Sequence, residues 1–153
     1  MIKIIKCDSE NIDFKNLIIE LDKSLAITDG AEMHDFYHQF NVGKYENCLV
    51  AYLDGVPVGS GAIKSLGEEY KNTAVEIKRM YVLPMYRRKG IAQQVLATLE
   101  QWAKELGFSY AQLETGINQT DAIALYKKLN YYVIPNYGQY IGVTESVCLK
   151  KDL

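Results

Sequence analysis

The sequence has little cysteine. Cys7, Cys48 and Cys148 are the three in 153 residues. They are odd in number, far apart and without the spacing of a metal-ligand set, which argues against a disulfide framework and against a zinc site. Cysteine used this sparingly predicts a protein of the reducing cytoplasm.

Long apolar runs are absent as well. Lysines interrupt the segment Met1–Lys6 too early for the apolar core of a secretory leader. No stretch approaches the roughly 18 consecutive apolar residues that a membrane-spanning helix needs. We therefore expect neither export nor a membrane partner.

Neither sign of charge dominates the chain. There are 17 Lys and Arg residues against 19 Asp and Glu residues, which gives a formal net charge of −2 at pH 7. Such a balance provides no long-range field to gather DNA, RNA or anionic lipid. We expect no nucleic-acid partner, and any anion site must be local.

Repeats, low-complexity tracts and linkers are missing too, and 48% of the residues are hydrophobic. A chain of this length buries one core and is too short for two ordinary domains. The sequence predicts one domain over residues 1–153.

Apolar periodicity and turn residues predict the order of the elements. The predicted strands are Ile2–Cys7, Cys48–Leu53, Val56–Leu66, Val75–Leu83, Tyr110–Thr115, Tyr131–Ile134 and Thr144–Lys150. The predicted helices run from about Ile12 to Ser24, within Thr28–Phe40, from Gly90 to Leu106, and from Thr120 to Leu129. Asp54-Gly55 favours a tight hairpin, and Asn130 a left-handed helix stop.

The most informative junction joins a strand to an apolar-striped helix, at Arg87-Arg88-Lys89-Gly90-Ile91-Ala92. Gly90 and Ala92 leave little side chain over the turn, so a ligand can approach the backbone. The first N–H groups of a helix have no internal partner, and the helix dipole adds about half a positive charge there. Cations at this end are unfavourable unless an anion joins them, so the segment predicts a pyrophosphate site.

Two motifs resemble the GNAT superfamily of N-acetyltransferases. Tyr81-Val82-Leu83-Pro84 and the junction after it are similar to the family's strand end and its Arg/Gln-x-x-Gly-x-Gly/Ala loop. The segment from Gln119 to Tyr131 is similar to the pattern Asn-x-x-Ala-x-x-Leu-Tyr-x-x-x-Gly-Phe, with Gln119 at the Asn position and Asn130 at the Gly position. Gln keeps an amide, and Asn adopts left-handed backbone more readily than other non-glycine residues.

The resemblance implies an α/β (α+β) architecture: a mixed, mostly antiparallel seven-stranded sheet flanked by about four helices, the acyl-CoA N-acyltransferase fold. It implies direct transfer of an acetyl group from acetyl-CoA to a primary amine, on a small molecule or on a peptide or protein, in a ternary complex. A homodimer joined near the C-terminal strands is common among proteins that it resembles. The implied cofactor-binding residues are Tyr81, Val82, Arg87, Arg88, Lys89, Gly90, Ile91, Ala92, Gln119, Ala122 and Tyr126.

Tyr126 is the predicted proton donor to the departing thiolate, because it holds the tyrosine position of the second motif. Its spacing from Ile123 and Leu129 fits core packing equally well.

Glu76 is the predicted catalytic base. A carboxylate inside an apolar strand is costly unless it faces water or a site, and the resemblance places a proton-accepting glutamate in this strand. Two alternatives stay open: Glu76 lies on a solvated face beside Lys78 or Arg79, or a water chain replaces it.

The acceptor pocket is assigned to His34, Tyr37, Tyr137 and Tyr140. The loop that carries the last two tyrosines fits a packed loop equally well. His34 and His38 are spaced by four, as metal ligands on a helix can be, but the sequence shows no third ligand, so we expect no metal.

A non-catalytic acyl-CoA-binding or sensor protein of the same fold is the main alternative to an enzyme. An NAD-binding Rossmann domain shares a glycine-bearing strand-to-helix turn. The Gly-x-Gly-x-x-Gly fingerprint is absent from this chain, however, so that class is excluded.

Overall fold

The computed structural model describes residues 1–41 and 43–153, which form one seven-stranded sheet and four α-helices. The strands are β1 (Ile2–Cys7), β2 (Asn47–Leu53), β3 (Val56–Ser65), β4 (Ala74–Val82), β5 (Tyr110–Gly116), β6 (Tyr132–Ile134) and β7 (Ser146–Asp152). The helices are α1 (Ile12–Asp29), α2 (Ala31–Asn41), α3 (Ile91–Glu105) and α4 (Thr120–Lys128).

The sheet has the order β1-β2-β3-β4-β5-β7-β6. Among the described strands, β4 and β5 are the parallel pair, and the other neighbouring pairs are antiparallel. The predicted architecture, a mixed and mostly antiparallel sheet of seven strands with four helices, is confirmed.

Helices cover both faces of the sheet, and the alternation of β2 shows which helix lies on which face. Leu49 and Ala51 belong to the core cluster that contains the buried side of α3. Cys48 and Val50 belong to the cluster that contains the buried side of α1. Because successive strand residues point to opposite faces, α1 and α3 lie on opposite sides.

The α3 helix lies very close to β3 at Gly61. A Cβ added there would come within 2.8 Å of Leu99 Cδ1, Val95 Cγ1 and Met80 Sδ. Glycine therefore lets the helix approach the strand, which fixes the position of the α3 N-terminus relative to the sheet.

Two of the boundaries that differ from the prediction have a local reason in the structure. α1 continues past Ser24 to Asp29, because no glycine or proline interrupts the chain before Gly30, where φ is +83°. β7 begins at Ser146 and not at Thr144, because the Ser146 N–H donates to the Val143 carbonyl at 3.1 Å and closes a turn. None of the helices within residues 1–41 and 43–153 is long and apolar enough to cross a bilayer.

Candidate active site

The site forms where two parallel strands separate. β4 and β5 pair through Ala74–Glu76 opposite Tyr110–Gln112. From there to the ends of both strands, the described chain contains no pairing between them. The opening is a cleft of about 780 Å³, which is within the usual range of small-molecule sites. The strands have therefore separated before β4 reaches Tyr81 and Val82.

A bulge in β4 gives the physical reason for the separation. The β3–β4 register jumps between Ser60 and Ala62, so β4 carries one extra residue there. Arg79, in the bulge, has a φ of +57°, and its carbonyl accepts a hydrogen bond from Ser60 Oγ at 2.9 Å. A bulge bends its strand and increases the local twist, which turns the end of β4 away from β5.

The end of β4 presents backbone groups to the cleft. The Leu83 N–H donates to the Val58 carbonyl on β3 at 2.9 Å. Because backbone groups alternate in direction along a strand, Val82 points its N–H and carbonyl to the opposite edge. That carbonyl accepts a hydrogen bond from Arg87 Nε at 2.9 Å.

The α3 helix begins at the mouth of the cleft, without an acidic residue in its first turn and without a side-chain cap. Gly90, with φ of +78°, precedes it, and the Gln94 N–H donates to the Gly90 carbonyl at 3.1 Å. The N–H groups before Gln94 have no partner within the helix. Arg88 has a φ of +65°, and strain of this kind, about 1–2 kcal/mol, concentrates at ligand sites. This turn has the geometry of an anion site.

The three cations before α3 differ in position. Arg87 and Arg88 line the cleft, and Lys89 lies outside the lining. Arg87 folds back over the end of β4, with its guanidinium carbon 5.6 Å from the centroid of the Tyr81 ring. The phosphate contact of Lys89 stays a prediction.

Tyr126, on α4, is at once a core side chain and a wall of the cleft. It is 7% exposed, and its ring packs edge-on against Tyr131 with centroids 5.6 Å apart. Burial raises the pKa of the Tyr126 hydroxyl above its usual value, so this hydroxyl stays protonated at neutral pH. Gln119 and Ala122 line the same part of the cleft.

Glu76 is buried, at 7% exposure, so the alternative that placed it on a solvated strand face is wrong. Both carboxylate oxygens are engaged. Lys78 Nζ lies 3.1 Å from Oε1, and the Tyr137 hydroxyl donates a hydrogen bond to Oε2. Lys78 Nζ also donates to the Phe40 carbonyl at 3.3 Å.

A second carboxylate, Glu114 on β5, also lines the cleft. Ser146 Oγ donates to Glu114 Oε2 at 2.6 Å and lies 2.8 Å from the Tyr37 hydroxyl. Because a serine hydroxyl has one hydrogen, Tyr37 is the donor to Ser146 while Ser146 donates to the carboxylate. Burial raises the pKa of Glu114 from 4.5 to about 7, with Ser146 and Lys78 acting in the opposite direction.

Asp29, at the end of α1, lies at the same end of the cleft. Its Oδ1 accepts a hydrogen bond from Gln119 Nε2 at 3.4 Å, and a Cβ at Gly116 would lie 2.8 Å from it. Burial raises the pKa of Asp29. Tyr37 and Tyr140, with ring centroids 6.4 Å apart, also line the cleft.

His34 lies outside the cleft lining, beside His38 and Asp22. The ligand atoms of these three residues lie within 4.8 Å of one another, so the structure supplies the third group that the sequence pattern lacked. Asp22 Oδ1 accepts a hydrogen bond from Arg79 Nη2 at 2.9 Å. A guanidinium therefore already pairs with this carboxylate, and His38 Nδ1 lies 3.9 Å from its other oxygen.

The cleft brings most of the predicted site residues together. Its lining includes Tyr37, Glu76, Tyr81, Val82, Arg87, Arg88, Gly90, Ile91, Ala92, Gln119, Ala122, Tyr126 and Tyr140. Tyr137 reaches the site through its hydrogen bond to Glu76, while Lys89 and His34 stay outside. Sequence reasoning missed Glu114 and Asp29. The signal for Glu114 was the one used for Glu76, a carboxylate within an apolar strand.

Comparison with known proteins assigns the family. A sequence profile of the Acetyltransferase (GNAT) family matches residues 16–131. The chain belongs to this family. The protein is accordingly an acetyl-CoA-dependent N-acyltransferase, and the predicted acyl-CoA N-acyltransferase fold is confirmed.

Relatives cover nearly the whole of this GNAT chain. A protein named IAA acetyltransferase from Azospirillum brasilense is 33% identical over 138 residues, or 90% of this chain and 88% of its own. The crystal structure of a protein described as an acyl-CoA N-acyltransferase, from Klebsiella pneumoniae, aligns with a TM-score of 0.81 at 30% identity, over 100% of this chain and 98% of its own. PaiA N-acetyltransferase from Thermoplasma acidophilum, solved with coenzyme A, aligns with a TM-score of 0.73 at 20% identity, over 100% of this chain and 99% of its own.

Proposed function

We propose that the protein transfers the acetyl group of acetyl-CoA to a primary amine, on a small molecule or on a peptide or protein, by direct attack in a ternary complex. One observation carries the proposal: the β4–β5 cleft has an uncapped helix start at its mouth and, at the other end, which we assign to the acceptor, the buried carboxylate of Glu76 and the partly buried carboxylate of Glu114. The first feature suits a pyrophosphate and the second suits a cationic amine.

The residues at the mouth fit coenzyme A. Backbone N–H groups of the Arg88 to Ala92 segment, together with the guanidinium groups of Arg87 and Arg88, would hold the pyrophosphate. The outward N–H of Val82 would pair with the pantetheine arm. When bound, acetyl-CoA supplies the acetyl group and a thiolate leaving group. Structurally similar proteins solved with coenzyme A or acetyl-CoA support acetyl-CoA as the cosubstrate.

Two proton movements must accompany the transfer, because an amine with a pKa near 10 is mostly charged at pH 7. The acceptor end offers two carboxylates that can take a proton from the amine, Glu76 and Glu114. Tyr126 is placed in the cleft as the predicted donor to the sulfur, with a hydroxyl that stays protonated. Side chains of the protein itself thus provide both a proton acceptor and a proton donor.

A reducing cytoplasm is the compartment we propose, because Cys7, Cys48 and Cys148 are all free thiols. A homodimer joined near the C-terminal strands stays a prediction, and light scattering of the purified protein tests it.

The function is tested by measuring thiol release from acetyl-CoA against a panel of amines: benzylamine, putrescine, spermidine, lysine and a peptide with a free N-terminus. We expect saturable thiol release with at least one amine, matched one to one by the acetylated product in mass spectrometry. Binding of acetyl-CoA in calorimetry without turnover of any amine would favour the sensor alternative. Absence of binding would overturn the proposal.

A further inference from the structure

We propose that Glu114, and not Glu76, is the carboxylate that accepts the proton of the acceptor amine. This inference rests on the proposed transfer to an amine. The two cleft carboxylates differ in the hydrogen-bond and ion-pair partners of their oxygens, and this difference assigns the role.

The two oxygens of Glu76 are both occupied. Lys78 Nζ lies 3.1 Å from Oε1, and the Tyr137 hydroxyl donates to Oε2. Lys78 and Glu76 are similarly buried, with side chains 6% and 9% exposed. An ammonium at contact distance from one oxygen and a donated hydroxyl on the other leave neither oxygen of Glu76 free to meet an acceptor amine. This arrangement suits a structural ion pair.

Glu114 is held at one oxygen alone. Ser146 Oγ donates to Oε2 at 2.6 Å, and within residues 1–41 and 43–153 no hydrogen bond or ion pair engages Oε1. A mostly buried carboxylate without a cation at contact distance is costly for the fold. The chain tolerates it in the lining of the cleft, where an ammonium group of the acceptor would be its partner.

The hydrogen-bond chain orients this carboxylate. Tyr37, on α2, donates to Ser146, on β7, and Ser146 donates to Glu114, on β5. Three separate elements thus fix Oε2, which leaves Oε1 as the oxygen available to the amine. Ser146 is a positioning residue in this scheme, because it acts through Glu114.

The charges around Glu114 favour a proton acceptor that works near neutral pH. Burial, Glu76 and Asp29 raise its pKa, while Ser146 and Lys78 lower it, and the balance is about 7. A general base is most effective when its pKa lies near the working pH. The other titratable groups that face it are Tyr37 on α2, Tyr140 before β7 and Cys148 on β7.

The ammonium of the acceptor gives one proton to Glu114 Oε1, and the neutral nitrogen forms a bond to the acetyl carbonyl carbon. The carbon–sulfur bond breaks with its electron pair going to sulfur. The sulfur ends as a thiol with a proton donated by Tyr126, which regains one from the acetylated nitrogen. Glu114 returns its proton to solvent.

The test is the pH dependence of kcat/KM for the amine, from pH 5.5 to 9.5 at saturating acetyl-CoA, in the wild type and four variants. The kcat/KM of the wild type should decline below about pH 7. This decline, the acid limb of the pH profile, is well separated from the titration of the amine itself near pH 10. The kcat/KM of Glu114→Gln at pH 8 should be at least about 100-fold lower than that of the wild type. Its pH profile should lack the acid limb near pH 7. Glu76→Gln should keep that limb, even where its rate is lower.

Ser146→Ala provides a second test of the role of Glu114, and this test does not depend on whether Glu114→Gln folds. It removes a hydrogen bond to the carboxylate anion, so the limb should move to higher pH. Glu145→Gln, which removes an exposed carboxylate next to Ser146, is the matched control and should resemble the wild type. Calorimetry should give each variant a wild-type Kd for coenzyme A.

An unchanged limb in Glu114→Gln or in Ser146→Ala, or loss of the limb in Glu76→Gln, would overturn the assignment of Glu114. Each of these three outcomes requires a wild type that turns over an amine. A wild type that turns over none of the panel would count against the proposed function, and the assignment of Glu114 would fall with it. The two failures are therefore distinguishable.

Discussion

Tyr126 shows how one residue can satisfy two readings of a sequence pattern. Its position between Ile123 and Leu129 gives it a core environment, and its ring packs against Tyr131. The same residue lines the cleft. Spacing alone could not separate packing from function, because both need an inward-facing aromatic ring.

Tyr126→Phe should lower kcat by about 100-fold and leave the Kd for coenzyme A near the wild-type value, because it removes a proton donor and keeps the ring. Steady-state kinetics and calorimetry measure the two quantities. Tyr131→Phe is the matched control, since the Tyr131 hydroxyl donates to Glu100, and its kcat should stay within about twofold of the wild type. A wild-type kcat in Tyr126→Phe would remove the assigned role.

Glu114 also makes a prediction about stability. Because burial raises its pKa from 4.5 to about 7, the folded state binds more protons than the unfolded state between these two pH values. The free energy of unfolding therefore falls as pH rises through this window, by roughly 3 kcal/mol for the full shift. Below about pH 4.5 the contribution is fully present, and above about pH 7 it is lost.

Glu114→Gln should abolish that decline, so its stability relative to the wild type should increase between pH 4.5 and pH 8. Urea unfolding at several pH values measures the difference. Glu145→Gln should follow the wild type, because Glu145 is exposed. Parallel curves for the wild type and Glu114→Gln would contradict the raised pKa.

At the scale of elements, α3 connects sequence to binding. Its apolar stripe packs against the sheet, with Val95 and Leu99 fully buried, and Gly61 on β3 lets it approach closely. This packing aims the helix start at the cleft. Both the stripe and the basic segment before it are local signals, which is why the sequence predicted this helix and its anion site together.

Arg87→Ala should raise the Kd for coenzyme A by about 5- to 150-fold, equivalent to about 1–3 kcal/mol for a lost charged hydrogen bond. The increase should be larger at low salt, since exposed charges are screened by ions. Calorimetry at two salt concentrations tests this. Lys104→Ala removes the same charge from the other end of α3 and should leave the Kd unchanged. Equal effects of the two variants would indicate a general charge effect.

At the scale of the whole molecule, one ion pair joins two layers. Arg79 lies in the bulge of β4, with a side chain that is 4% exposed, and reaches Asp22 on α1 at 2.9 Å. The pair links the helix layer to the strand segment where the sheet opens. Sequence reasoning placed Arg79 as an optional partner of Glu76, because strand neighbours are the obvious partners when the tertiary contacts are unknown.

Arg79→Met should destabilise the fold by about 3 kcal/mol, because it leaves Asp22 partly buried without its cation. Adding Asp22→Asn should restore part of the loss, since the double variant leaves no uncompensated charge. Urea unfolding of the two single variants and the double variant measures the coupling free energy. Simple additivity of the two changes would show that the ion pair does not couple the layers.

The sequence by itself determined what depends on near neighbours along the chain. The hairpin at Asp54-Gly55, the helix stop at Asn130 with φ of +74°, and the helix start after Gly90 all follow from local backbone and charge preferences. The two motifs around Arg87 and Tyr126 were sufficient for the family and for many of the residues that line the cleft.

Tertiary structure alone decided the contacts around the cleft carboxylates. Glu76, Glu114, Ser146 and Tyr37 come from three strands and a helix, and their roles depend on which oxygen meets which partner. A carboxylate in an apolar strand has the same local signature whether a lysine neutralises it or it faces a cleft. The contacts that separate these cases come from residues distant in sequence, so only the folded chain could distinguish the two glutamates.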